Sequence, residues 1–526
     1  MVFLPARRDE TASGVVDYIS ERVRSAKPYG IRLLDPQEPD VIARSVMRID
    51  QLTTVLKDKL PFPQMEMVER LRTHVREVNP NLDFLPPDEK KEVSRFVNIL
   101  VHQGYIKASI GDTVVPGHPI FRTNHLFLDY LTKAFERGQT GYSGSTGTPN
   151  FKKAVADYTD FRFGFKTEPS DVLVGRGATD PIEKISQSLM QDSYGIAGAP
   201  FYPPYESSTH LAGGKLSRIV AKEENGYRLT ADEIEVRIKK LVNRGVPLKK
   251  IKVLWLTHPN NPTGFFYSEA ELGRIAAVAR KYNLTVVADE VYGGTVTEGN
   301  YTSMLKVWES LPEKRRFPLV HLGGFSKDPL FWFTGARIGW AVIPGKDKRS
   351  QALRNTINFT LAPPQLNPPT PLEEAGAELI NHYLQNPKQF RAHMGEALKV
   401  LDQKNSRLHE VMNAIPQVQR AGGYAKPPSA FYHFVPFDIS RTSLSGSRNP
   451  DLAFARMLQR RYRLRLTHGG AFYYPPSVKR GSANVIHQRI VSLLPNDLID
   501  EIGIRIRKAL GKMESGQRKK SNNQEK

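Results

Sequence analysis

Between residues 172 and 322, short apolar runs alternate with stretches in which apolar residues return every three or four positions. Val172-Leu-Val174, Ile251-Lys-Val-Leu-Trp-Leu256, Leu284-Thr-Val-Val-Ala288 and the run 317–322 are of the first kind; residues 181–191 and 269–282 are of the second. A strand that is apolar on both faces has to be covered on both, and the interleaved helices supply the cover. The alternation predicts an α/β fold with a mostly parallel sheet between layers of helices. Ligands of such sheets sit beyond the carboxyl ends of the strands.

The pattern changes on either side of this block. Met65, Val68, Leu71 and Val75, and then Val93, Phe96, Val97, Leu100 and Val101, mark helix faces broken by prolines, which predicts a helical N-terminal extension over residues 1–105. Residues 106–150 open a large domain that runs to 345; glycine turns there flank a helix at 123–137, and Gly141-Tyr-Ser-Gly-Ser-Thr-Gly147 leads into another at 151–158. After it come a proline-dense crossing at 363–371 and a helical region at 372–414. Strands at 430–435, 464–467 and 489–493 then alternate with helices at 452–461 and 498–510, a smaller α+β domain over 346–510. Residues 511–526 include Lys512, Arg518, Lys519, Lys520 and Lys526 without apolar periodicity, and are expected to be a disordered basic tail.

Charge and composition narrow the function classes. The chain has 75 Lys+Arg against 54 Asp+Glu, a formal net charge of +21, which raises nucleic acid as a partner. Residues 1–100 nevertheless hold 16 of each sign. DNA binding needs a concentrated basic face, so nucleic acid is disfavoured. No run approaches the ~20 apolar residues of a membrane helix, and the first ten residues lack an apolar signal core. A cytoplasmic protein without a membrane partner is expected. The absence of cysteine excludes disulfides, thiolate metal sites and cysteine nucleophiles. The 13 histidines are scattered without a His-Glu-x-x-His, so no metal site is expected.

Candidate chemistry gathers where predicted strands end. Ser326-Lys327 follows the run 317–322 and two glycines, with apolar and aromatic residues on both sides. A lysine in an apolar pocket loses hydration of its charged form, so the neutral amine becomes available to a carbonyl as a Schiff base. Gly335-Ala-Arg337-Ile-Gly339 sets an arginine between two glycines, open to close approach by an anion. A Schiff-base lysine beside a phosphate-binding arginine suggests pyridoxal phosphate. Asp289, at the mouth of a buried strand, would need a cation such as a protonated pyridine nitrogen, and Tyr292 could donate to the ring oxygen. Two prolines and a glycine fix Asn261 within Thr257-His-Pro-Asn-Asn-Pro-Thr-Gly264, aimed at the same oxygen. Gly175-Arg-Gly177-Ala178-Thr179 opens a helix whose free N–H groups can hold a phosphate, and Phe201 or Tyr202 could stack on a planar ring.

In that order, Gly177-Ala178-Thr179, Asn261-Pro-Thr-Gly264, Asp289-Glu-Val-Tyr292, Ser326-Lys327 and Gly335-Ala-Arg337-Ile-Gly339 resemble the class I/II aminotransferases of pyridoxal-phosphate fold type I. The resemblance spans about residues 110–510. It implies a seven-stranded type of large-domain sheet, with residues 106–150 on the substrate side, and a Schiff base on Lys327, which would also move the proton at the substrate α-carbon. Asp289 would pair with the pyridine nitrogen, Asn261 and Tyr292 with the ring oxygen, and Ala178, Thr179 and Arg337 with the phosphate, with Gly177 and Ser326 also in the cofactor site. Tyr202 would be part of the cofactor site. Tyr142 is similar to the tyrosine that reaches a neighbouring subunit's phosphate, which implies a homodimer with shared sites and leaves room for a higher oligomer through residues 1–105. Arg489 resembles the clamp on the substrate carboxylate, met by Gly111 and Asn261. Substrates would be small amino acids and 2-oxo acids.

The chain departs from the family pattern in three places. Gly324 stands where the family often has serine, Lys327 and Arg337 are ten apart where eight is usual, and ordinary members lack the long extension. The two extra residues are expected to bulge near the cofactor. Amino-group transfer is the leading expectation. An amino-acid decarboxylase, such as a β-decarboxylase of aspartate, or a lyase is the runner-up, because the same stabilised carbanion serves them all. An aminotransferase-like DNA-binding regulator is more remote.

Overall fold

The structure, a computed structural model, describes residues 106–109, 123–473 and 484–524. The expected N-terminal helices and their proposed role in assembly lie outside these residues, as does Gly111. A two-residue strand β1 (Ile106–Lys107) precedes seven strands that form one sheet. They are β2 (Val172–Gly175), β3 (Tyr194–Ala199), β4 (Lys215–Val220), β5 (Ile251–Thr257), β6 (Thr285–Asp289), β7 (Leu319–Gly324) and β8 (Gly339–Val342), in the spatial order β2-β8-β7-β6-β5-β3-β4.

Only β8 runs against its neighbours, antiparallel to β2 and β7; the other pairs are parallel. The mostly parallel sheet read from the sequence is therefore present, with the seven strands that the resemblance implied. All five residues of β6 and all six of β7 are buried, as expected of strands covered on both faces. Helix Glu269–Lys281 returns the chain from β5 to β6. It opens on a capping box in which Ser268 Oγ accepts the Glu271 N–H at 3.3 Å and Glu271 Oε2 accepts the Ser268 N–H at 2.7 Å. Because β2, β3, β5, β6 and β7 run the same way, the segments that follow them meet at one edge.

A second sheet, in the order β11-β12-β9, is antiparallel: β9 (Tyr432–Asp438), β11 (Thr467–His468) and β12 (Val485–Val491). Just before β11, β10 (Leu464–Arg465) pairs with β1, and Ile106 and Ala108 pack with Leu408, Phe437, Leu466 and Ile502 in the smaller core. Residues 106–109 thus pack with the C-terminal body, in contrast to the boundary read from the sequence. Conversely, Leu353, Ile357, Leu379, Ile380 and Tyr383 join the large core, so the boundary expected at 345 does not coincide with a change of core.

Three other expectations are corrected. Residues 363–365 continue helix Lys348–Gln365, with Pro363 and Pro364 inside it. Each removes an N–H that would bond the carbonyl four residues back, so the helix is weakened where it ends, at Leu366 with φ 55°. Arg489 lies within β12 rather than opening a strand. The expected disordered tail is helical, because the last helix runs from Asn496 to Gln524. Met513 packs on the small core, and Glu514 accepts Gln417 Nε2 at 3.0 Å and also pairs with Arg420. Lys, Glu, Met and Arg are strong helix formers, which the search for apolar periodicity passed over.

Glu373, in the first turn of helix Thr370–Gln385, is fully buried, and its Oε1 accepts the Thr148 N–H at 3.2 Å. Burial pushes its carboxyl up to about 8 from an ordinary 4.5, with the Thr148 N–H pulling the other way and Glu374 adding to the rise. The folded chain therefore keeps a proton that the unfolded chain has released, and stability falls as pH rises from about 4.5 to about 8. The slope in that window approaches roughly 1.4 kcal/mol per pH unit. Glu373→Gln, which is permanently neutral, should melt increasingly above wild type through this window and level off beyond it. Thermal melts from pH 5 to 9 check this; a difference that does not change with pH would refute it.

Candidate active site

Asp289 ends β6 in the floor of a cavity of about 990 Å³ at the carboxyl edge of the sheet. Tyr205, on the first turn of helix Pro204–Leu211, donates to its Oδ2 at 2.6 Å and lies 2.9 Å from Thr257 Oγ1. The Tyr205 ring stacks on Trp255 with centroids 4.9 Å apart, which fixes the hydroxyl. Asp289 Oδ1 is buried without a hydrogen-bond partner among the described residues. Burial pushes this carboxyl up to about 6, although the bonds from Tyr205 and the Val291 N–H favour its ionised form.

Lys327 follows β7 and lines the same cavity, its Nζ 5.5 Å from the centre of the Phe431 ring. The neighbouring wall is made of close backbone contacts. A Cβ on Gly339 would stand 2.4 Å from Ala178 N, one on Gly177 2.4 Å from Arg337 Nη2, and one on Gly324 2.9 Å from Gly339 Cα. This explains why glycine occupies position 324: β7 and β8 approach too closely there for a serine side chain. Arg337, in the left-handed region at φ 55°, spans the start of helix Thr179–Leu189, with Nη2 donating to Arg176 O at 3.2 Å and Nη1 to Thr334 O at 3.2 Å. Ser326 Oγ lies 3.5 Å from Arg337 Nη1. Ala178, Thr179, Ser326 and Arg337 all line the cavity, so its wall offers helix N–H groups, a hydroxyl and a guanidinium together.

The far wall belongs to the second sheet. Arg489 is 2 % exposed; Nη1 donates to Asn261 Oδ1 at 2.8 Å and Nη2 to Ser109 O at 2.5 Å, while Nε has no hydrogen-bond partner among the described residues. Its guanidinium lies 4.2 Å over the Tyr432 ring. Tyr432 also accepts the Tyr292 hydroxyl at 2.8 Å, and burial pushes the Tyr292 phenol well above its ordinary range. Engagement of Asn261 Oδ1 by Arg489 turns the amide so that its nitrogen is left to donate.

Ala178, Thr179, Tyr202, Asn261, Asp289, Tyr292, Ser326, Lys327, Arg337 and Arg489 are thus brought to one cavity. Of the two stacking candidates, Tyr202 is on its wall, and Phe201 is 2 % exposed in the large core. Tyr142 is 89 % exposed and not part of this wall. Tyr205, Phe431 and Tyr432 were not singled out from the sequence, nor was Arg465, a second cavity residue only 2 % exposed. Tyr205 had a signal, since it opens the helix after β3; Phe431 and Tyr432 read only as part of a strand. The expected bulge between Lys327 and Arg337 is not on the cavity side. Leu330, Phe331 and Trp332 are each no more than 1 % exposed and pack into the two neighbouring cores.

These residues fit pyridoxal phosphate on observations independent of ancestry. A buried carboxylate oxygen lacks a partner, a lysine is in reach of an aromatic wall, and three glycines keep a helix start open beside a guanidinium. Comparison with known proteins points the same way. The family model for aminotransferase class I and II matches residues 127–489. The aspartate aminotransferase of Bacillus sp. (strain YM-2) is 25% identical over 71% of this chain and 88% of its own length. The glutamate-pyruvate aminotransferase of Haemophilus influenzae is 26% identical over 67% and 78%. Among solved structures, the alanine aminotransferase from Pyrococcus furiosus superposes with a TM-score of 0.65 at 21% identity, covering 94% of this chain and all of that one. The chain belongs to the class I and II aminotransferases, a pyridoxal-phosphate-dependent family.

Proposed function

We propose that this aminotransferase moves an amino group between an amino acid and a 2-oxo acid in the cavity between Lys327 and Arg489. The observation that carries the residue assignments is the unpartnered Oδ1 of Asp289 in a wall that Lys327 and Arg489 share. Pyridoxal phosphate, when bound, supplies an electron sink for a carbanion at the substrate α-carbon. Asp289 would hold the pyridine nitrogen protonated, and Asn261 and Tyr292 would donate to the ring oxygen. The Ala178 and Thr179 N–H groups, Ser326 and Arg337 would hold the phosphate, with Tyr202 against the ring and Gly177 keeping Arg337 close. Arg489 would take the α-carboxylate through its Nε edge, which turns the α-hydrogen toward Lys327. The Lys327 amine would then carry the proton from the α-carbon.

A homodimer belongs to the same reading. Tyr142, Phe359 and Leu366 are 89, 77 and 64 % exposed. The bonds Ser145 Oγ to Asn358 Oδ1 and Thr370 Oγ1 to Gly141 O tie their segments together, an apolar surface suited to a second copy that would receive Tyr142. The test of function is to incubate purified protein with panels of amino acids and 2-oxo acids and identify the products. One new amino acid for each new 2-oxo acid is expected. Carbon dioxide or a released side chain in place of that exchange would overturn the reading.

A further inference from the structure

We infer that Asp328 and Trp332 are positioning residues that hold the main chain of Lys327 from both sides and so fix where its amine stands. The inference rests on the Schiff-base role proposed for Lys327. The inserted stretch after the lysine folds back on it. Trp332 Nε1 donates to Lys327 O at 3.2 Å, and the N–H groups of Phe331 and Trp332 both reach Asp328 O, at 3.0 and 2.8 Å. Trp332 takes φ 38°, a conformation a bulky residue keeps only when its surroundings enforce it. Here that conformation aims the indole N–H at the lysine's carbonyl.

On the other side, the Asp328 carboxylate accepts Tyr158 OH on Oδ2 at 2.7 Å and the Leu330 N–H on Oδ1 at 3.0 Å. Tyr158 in turn accepts from Arg162 Nη1 at 3.3 Å, so a cation backs the chain of bonds. The Phe331 ring stacks on Phe325 with centroids 3.9 Å apart, and Trp332 packs with Tyr292 and Phe431, the ring that faces the lysine amine. Bonds therefore converge on the residue's own carbonyl and on its immediate neighbour. A shift of about 1 Å in a reacting group can cost 10²-fold in rate, so holding this backbone has a chemical consequence beyond stability.

The test compares Trp332→Phe, Asp328→Asn and Tyr158→Phe with Phe331→Leu, which loosens the aromatic packing without touching either bond to the lysine segment. Three readouts are taken: the rate at which cofactor-free protein captures pyridoxal phosphate, followed by visible absorbance; the pH midpoint of the bound visible band; and the melting temperature. The first three variants should capture the cofactor about ten-fold more slowly and shift the midpoint, whereas Phe331→Leu should lower only the melting temperature. Wild-type capture rate and midpoint in folded Tyr158→Phe and Trp332→Phe would overturn the inference, as would matching changes in Phe331→Leu. Borohydride labelling of the wild type at a site other than Lys327 would instead overturn the proposed function.

Discussion

Lys327→Ala is expected to lower kcat by at least about 10⁴-fold, the upper range for a group that moves a proton in the rate-limiting step, because the same amine also forms the covalent link. The remaining grip should survive. Arg337 is held by bonds to Arg176 O and Thr334 O, the start of helix Thr179–Leu189 by its own backbone, and Asp289 by Tyr205. The variant should still bind pyridoxal phosphate reversibly and lose it on dialysis. After borohydride treatment, mass spectrometry of the wild type should find the added pyridoxyl group on the peptide that contains Lys327; the variant should carry none. Small amines added to the variant should recover part of the proton transfer. Near-normal turnover by Lys327→Ala would remove this residue from the chemistry.

Asp289→Asn should have opposite effects on the empty and loaded protein. In the cofactor-free protein, burial holds this carboxyl up to about 6, against an ordinary 3.8. The folded state therefore loses stability relative to the unfolded chain as pH rises through that window, on the order of 3 kcal/mol in all. Asparagine has no charge to bury, so the cofactor-free variant should melt above cofactor-free wild type at pH 7. Adding pyridoxal phosphate should reverse the order, because only the carboxylate can pair with a pyridinium. Truncating one side of a buried charge pair typically costs 3–5 kcal/mol, so turnover should fall by about 10³-fold. Thermal melts with and without cofactor, alongside kcat, check both halves. A variant that gains as much stability from the cofactor as wild type would separate Asp289 from the ring nitrogen.

Much of this site was legible because each part is a strand end followed by a residue with few bland uses. Lys327 among aromatics, Asn261 between prolines and Arg337 between glycines could be placed without coordinates, since period and punctuation give where a strand stops. What the sequence withheld is sideways information. Tyr205 touches Asp289 across 84 positions and Tyr432 touches Tyr292 across 140, and no local pattern encodes such pairs. The two residues added after Lys327 were read as a bulge near the cofactor because the spacing shows only that the chain is longer there, not where the extra length packs. Here Phe331 and Trp332 find more apolar surface inward. The continuation of the last helix past Leu510 was missed for a related reason: it is anchored there by Glu514 and Met513 on elements distant in the chain.

The residues proposed to hold the cofactor and the arginine proposed to hold the substrate stand on different sheets. Asp289, Lys327 and Arg337 belong to the seven-stranded sheet and its loops, whereas Arg489 stands on the three-stranded one and donates to Asn261 of the first. Departure of a product anion from Arg489 would therefore leave the contacts of Asp289, Lys327 and Arg337 untouched, so that many catalytic cycles would draw on one vitamin-derived molecule.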